Sequence, residues 1–202
     1  MRGAPFTILL HGEAGIGKST ILKTLTDYFR LLNPVEAIKR PGFIPEPLPA
    51  NGLYNRNSGE EYWSCYCNSN WCIVYDDLAQ RNCKVPDFAA EIQELIYVVN
   101  SMPYFPNMAS LEEKGKVYIA PQLVVASTNN KTLNAAQACM KPTAVLRRFP
   151  YVIQPTVKNE YIIDGSTRLD SSKAAGKRDL WDFEIQRVTI DPAGAVTYPV
   201  IS

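Results

Sequence analysis

Eight residues near the start of the chain, Gly12-Glu13-Ala14-Gly15-Ile16-Gly17-Lys18-Ser19, match the phosphate-binding loop pattern G-x-x-x-x-G-K-[ST] without a mismatch. The pattern needs a strand before it and a helix after it, and both are legible. Phe6 to Leu10 is a short apolar run of β-formers, and Thr20 to Phe29 carries helical spacing at Ile21, Leu22, Leu25, Tyr28 and Phe29. Such a loop turns successive backbone N–H groups inward at the positive end of a helix, where phosphate oxygens bind. Gly12, Gly15 and Gly17 are expected to supply backbone conformations closed to other residues. Lys18 adds a mobile charge, and Ser19 offers a hydroxyl to Mg2+. The run Gly12, Glu13, Ala14, Gly15, Ile16, Gly17, Lys18, Ser19 and Thr20 is therefore the expected nucleoside triphosphate site.

A chain of 202 residues is long enough for one well-buried core with an appendage and too short for two ordinary domains. We expect a P-loop core over residues 1–155 and an appendage over 156–202, a polar loop followed by a β-hairpin. No apolar run approaches the ~20 residues that cross a bilayer, and Met1 to Leu10, charged only at Arg2, does not read as a secretory signal. The chain begins almost on its first strand, as a segment of something longer would. A formal net charge of +1 means that any nucleic-acid binding is local. Cys65, Cys67, Cys72, Cys83 and Cys139 are an odd number without an export signal, which favours free thiols in a reducing compartment. A metal cluster is the lesser alternative, because His11 is the only histidine and no C-x-x-C pair is present.

Further along, Pro41 to Pro49 and Asn51-Gly52 read as a surface connection. Tyr62-Trp63-Ser64-Cys65-Tyr66 is aromatic enough to pack on the core or on a neighbouring subunit, the core being favoured. Trp71 to Tyr75 reads as a buried strand ending in Asp76 and Asp77, and ligands sit at the carboxyl ends of such strands. Asp76 is expected to hold the magnesium through water, and Asp77 to orient or deprotonate the attacking water. Val85-Pro86-Asp87 opens a helix to about Asn100 with a buried stripe at Ile92, Leu95, Ile96 and Val99. Phe105 to Lys116 reads as a loop and a short helix ended by Gly115. The strand Leu123 to Ser127 follows and finishes in Thr128-Asn129-Asn130. Ala144 to Phe149 reads as a short helix stopped by Pro150. Its Arg147 and Arg148 point about 100° apart, and position alone leaves them as either helix-end charges or an arginine finger. Trp181 to Ile190 alternates in β fashion with a slip near Arg187, and Ala195 to Val200 returns as the second strand, with no chemistry visible in this hairpin.

Taken together, GEAGIGKST at Gly12 to Thr20, EEYWSCY at Glu60 to Tyr66, IVYDDL at Ile73 to Leu78, FPNMASLEEKG at Phe105 to Gly115, VVASTN at Val124 to Asn129 and AVLRRF at Ala144 to Phe149 resemble the superfamily 3 helicases of picorna-like RNA viruses. The resemblance covers Gly12 to Phe149 and is loose beyond Pro155. It implies an α/β P-loop NTPase fold with an AAA+-like parallel sheet and helices on both faces, to which the C-terminal β-hairpin is an extension. It further implies an ATP- and Mg2+-dependent RNA helicase that works as a homo-oligomeric ring, a hexamer, on single-stranded RNA during viral genome replication. Asn129 falls on the family's sensor asparagine, and Arg147 and Arg148 fall on arginines that reach in trans into the neighbour's nucleotide site. Lys114 and Lys116 lie where the family builds RNA-contacting loops. Other viral replication proteins are the implied partners, in replication complexes of the host cytoplasm. Two departures stand out: nothing beyond Cys139 can build the zinc finger of some members, and the upstream amphipathic membrane helix is not in this chain, so membrane association would run through segments outside it. A small P-loop kinase and an RNA-binding scaffold with a structural nucleotide remain as alternatives.

Overall fold

The structure, a computed structural model, describes residues 2–33, 46–84 and 86–202. Its frame is a six-stranded sheet built from β1 (Phe6–His11), β2 (Leu53–Asn55), β3 (Cys72–Tyr75), β4 (Leu123–Thr128), β5 (Tyr151–Val157) and β6 (Trp181–Arg187). The strand order is β2-β3-β4-β1-β5-β6, with β1 to β5 parallel and β6 antiparallel to β5. Every residue of β3 and β4 is buried, as a parallel strand covered on both faces must be.

Alternation along the strands sorts the core into two. Leu9, Ile73, Tyr75, Val124, Ala126 and Val152 face α2 (Pro86–Val98), α3 (Ala135–Ala138) and α4 (Thr143–Leu146). Their neighbours Leu10, Cys72, Val74, Leu123 and Val125 face α1 (Lys18–Leu32). This is the P-loop NTPase-like arrangement that the sequence implied, with helices on both faces.

Several local expectations shift. In α1, Ile21 and Leu22 are buried and Leu25 and Phe29 pack against them, but Tyr28 is 64% exposed because it falls at the margin of that arc. The stripe of α2 is Phe88, Ile92, Leu95 and Val98, continued by Val99 just past its end, with Ile96 only partly covered. Val85, expected to open this helix, lies outside the described residues, as do positions 41–45 of the expected surface connection. The described end of that connection is not all surface: Leu48 is buried, and its N–H donates to Arg30. Leu111 to Lys116 forms successive turns rather than a helix, and Gly115 takes the positive φ of +75° that ends them.

The expected boundary at residue 155 falls inside β5. The first strand of the expected hairpin is β6, paired with β5 from Tyr151↔Arg187 to Val157↔Trp181, while residues 199–202 bond back to its other side. A small hairpin of β7 (Thr189–Ile190) and β8 (Val196–Thr197) follows the slip at Val188.

The aromatic run belongs to the core, since Trp63 and Tyr66 are buried while Tyr62 is half-exposed. Trp63 stacks near Arg56, whose guanidinium lies 4.6 Å from the ring centre. Arg56 is itself buried and gives two hydrogen bonds to Glu94, at 3.0 and 2.7 Å, and Trp63 Nε1 donates to the same carboxylate at 3.1 Å. Burial works against the Arg56 charge, but Glu94 more than offsets it and the pKa ends above its ordinary value. Glu94→Ala, which leaves a buried guanidinium without its counter-charge, is expected to lower unfolding stability by about 3–5 kcal/mol in urea denaturation, and the double change Arg56→Met with Glu94→Leu to recover only part of that loss, because Trp63 Nε1 still lacks its acceptor.

Candidate functional site

Because β3, β4 and β1 are adjacent and parallel, the segments that leave their carboxyl ends converge on one edge of the sheet. The loop after β1 enters α1 through Gly15 at φ +82° and Gly17 at φ +88°, a left-handed region that costs other residues strain. Gly12 differs from expectation: its φ is not in that region, and its constraint is space. A Cβ at Gly12 would stand 2.5 Å from Cδ1 of the buried Ile16.

Lys18, the first residue of α1, is buried at 7% exposure. Its ammonium donates to the Gly12 carbonyl at 3.0 Å, to the Glu13 carbonyl at 2.8 Å and to Oδ1 of Asn129. Burial lowers its pKa, and the charges of Asp77 and Asp76 work against that shift. Ser19 Oγ donates to Oδ2 of Asp76 at 3.2 Å. The hydroxyl and carboxylate are hard oxygen donors of the kind Mg2+ takes while keeping several waters, so the pair fits that ion.

The turn after β3 is fastened to β4. Ser127, fully buried, donates to Oδ1 of Asp76 at 2.5 Å and accepts from the N–H of Asp77 at 2.9 Å. Thr128 Oγ1 donates to the Leu78 carbonyl at 2.8 Å. Asp77 itself sits at φ +56°, a conformation an aspartate accepts more readily than most residues. Ser127, the last residue of the strand expected from the sequence, braces both acids through its two bonds. His11, at the end of β1, is half-buried. Burial holds its imidazole below the usual pKa; Gln154 opposes this, and the charges of Lys131 and Lys18 add to it. It lines a cavity of about 490 Å³ with Glu13, Asn129, Gln154 and Thr167.

The chain beyond β5 also reaches the loop, which no local feature of its sequence announces. The Leu169 N–H donates to the Gly15 carbonyl at 3.0 Å, and Trp181 Nε1 to the Ile16 carbonyl at 2.7 Å.

The remaining candidates lie elsewhere. Tyr151 is level with Ile8 in the parallel pairing, so Arg147 and Arg148, which precede it, belong to the amino side of the sheet rather than to the edge that carries the loop. The two arginines also differ. Arg148 is half-buried, with Nε donating to the Ile96 carbonyl at 3.3 Å and a terminal nitrogen to the Ala144 carbonyl. Burial, then the charge of Arg147, lowers its pKa. Arg147 is exposed. Lys114 and Lys116 are exposed in the turns that lead toward the start of β4, again away from the loop.

Comparison with known proteins bears on this arrangement. A family model described as RNA helicase matches residues 8–130, which span the loop, both acids and Asn129. The chain is 30% identical over 173 residues to the genome polyprotein of human rhinovirus A serotype 89, a match covering 86% of this chain and 7% of that protein. It is 28% identical over 203 residues to the replicase polyprotein of acute bee paralysis virus, covering 98% of this chain and 10% of that one. It is 28% identical over 163 residues to the RNA1 polyprotein of broad bean wilt virus 1, covering 81% and 8% respectively. The chain thus spans a tenth or less of these relatives' length. With its loop, acids and asparagine inside a match that covers more than half its length, the chain belongs to the RNA helicase family.

Proposed function

We propose that this chain is an ATP-hydrolysing RNA helicase module that acts on single-stranded RNA, alongside other replication proteins, during viral genome replication. The observation that carries the reading is the buried Lys18 ammonium, gathered with Asn129 beside the Ser19–Asp76 pair. Polyprotein relatives from RNA viruses, one named as a replicase, support the biological setting.

In this reading the amides from Gly15 to Thr20 and the Lys18 ammonium bind the β- and γ-phosphates. Ser19 and Asp76 would hold Mg2+, which when bound supplies positive charge against the phosphate oxygens. Asp77 accepts the proton of the attacking water, and Asn129 orients that water while its Oδ1 keeps Lys18 in place. Ser127 holds the Asp76 carboxylate and the Asp77 backbone in register. Arg147, exposed and on the side away from its own loop, is the finger that completes the charge cage of a neighbouring chain in a hexameric ring. Arg148, bonded to the carbonyls of Ala144 and Ile96, holds α4 against α2 and so sets where Arg147 emerges.

Lys18→Ala is expected to abolish measurable ATP binding and turnover. Asp77→Asn should keep ATP binding within a few-fold while hydrolysis falls by about 10² or more, read by isothermal titration and phosphate release. The shared site has its own test. Specific activity should rise steeply with protein concentration, and Arg147→Ala should cost about 10³-fold in turnover. Mixing Arg147→Ala with Lys18→Ala chains should restore part of the activity, because one chain still offers an intact loop and the other an intact finger. Concentration-independent activity without rescue would count against a composite site.

A further inference from the structure

A phosphate-binding loop works by turning its N–H groups inward, and its carbonyls then face outward. An outward carbonyl that is shielded from water must find another donor or the loop pays a desolvation penalty. The carbonyls of Gly12 and Glu13 are exceptions and accept from the Lys18 ammonium. That of the buried Ile16, and that of the exposed Gly15 beside it, are met by a segment more than 150 residues further along.

We propose that residues 162–181 form a strap that holds the phosphate loop in its binding shape, and that Trp181 is its positioning residue. This rests on the reading that the loop binds ATP. The contacts are consecutive: Thr167 Oγ1 donates to the Glu13 carboxylate, Leu169 N–H to the Gly15 carbonyl at 3.0 Å, and Trp181 Nε1 to the Ile16 carbonyl at 2.7 Å. Side chains close the remaining space. A Cβ at Gly17 would lie 2.9 Å from Cζ2 of Trp181 and 3.2 Å from Cδ2 of Leu169, and one at Gly15 would lie 3.2 Å from the aliphatic stem of Arg168.

The strap can restrain the loop because it is itself restrained. Trp181 is the first residue of β6 and pairs with Val157, so the indole is fixed to the sheet rather than to a free loop. Tyr161 accepts from the Asp170 N–H, and Asp170 caps the short helix α5 (Ser171–Ala174), which pins the strap's middle. The loop is therefore held from the α1 side by covalent continuity and from the outer side by the sheet. The ordering that a flexible loop would have to undergo at each binding event is already done, and pre-organisation of this kind appears in affinity rather than in chemistry.

Trp181→Phe keeps the ring and removes the N–H. It is expected to weaken MgATP binding by roughly five- to ten-fold and to raise KM by a similar factor, with kcat within about two-fold and the nucleotide-free melting temperature within a few degrees. Of the three tryptophans, Trp71 donates to Pro49 and Trp63 to Glu94, so the indole bonded to the loop is that of Trp181. Tryptophan emission should accordingly change on adding MgATP, keep that change in Trp71→Phe and lose it in Trp181→Phe. Leu169→Ala should weaken binding several-fold and decides the matter if Trp181→Phe does not fold. Wild-type MgATP affinity in the variant overturns the strap and leaves the nucleotide site standing; a wild-type chain that binds no MgATP overturns both.

Discussion

A buried ammonium is the constraint on which the rest of this structure depends. Lys18 is nearly covered, yet its direct partners are two carbonyls and an amide oxygen, while the carboxylates of Asp76 and Asp77 act on it only through space. Neutral oxygens compensate a buried charge incompletely, which is why its pKa sits below the ordinary value. A polyanion with several oxygens would be a better partner than any group the chain itself supplies. On the proposed reading, the same geometry that makes Lys18 costly in the free protein is what favours a triphosphate in that place.

Holding such a group requires rigidity, and the sheet provides it by order rather than by size. β1 lies between β4 and β5, so its loop is flanked on one side by the tip of β4 and on the other by the end of β5. A strand placed at the edge of the sheet could not have received Asn129 from one neighbour and the cavity-lining Gln154 from the other. The parallel arrangement also sorts the chemistry by edge. Acids, hydroxyls and the loop come to the carboxyl edge, and the arginines before β5 are left at the other. On the proposed reading that separation is the reason for a ring: a finger that cannot reach its own loop can serve a neighbour's.

How much of this was legible in the sequence follows from the range of each interaction. The loop, its strand and its helix are local patterns, and they stand where the spacing put them. Asp76 and Asp77 were placed beside the loop because a strand end in a parallel sheet has few other destinations. The fastening of those acids by Ser127 was not legible, since a serine in an apolar strand carries no mark of which carboxylate it will meet. The charge network of Arg56 with Glu94 joins positions 38 residues apart in two segments whose packing no periodicity records. Tyr28 departs from the expected stripe for a simpler reason: helical spacing defines the centre of a buried arc better than its margins. Phe105 to Lys116 reads as a loop and a short helix ended by Gly115; the glycine does end the run, but what precedes it is too short for a helix to propagate.

The adjacent arginines show the same limit most sharply, because in sequence they are interchangeable. What separates them is where α4 ends. Arg147 closes the helix with its side chain in solvent, and the next residue turns inward under Ile96. A guanidinium held by two carbonyls of its own chain has lost the freedom that transition-state contact requires. On the proposed reading the exposed one has kept that freedom, and its neighbour's fixed position spares it part of the entropy that a finger on a loose loop would lose on docking. One residue would then anchor so that the other can reach, with a helix of four residues dividing the work.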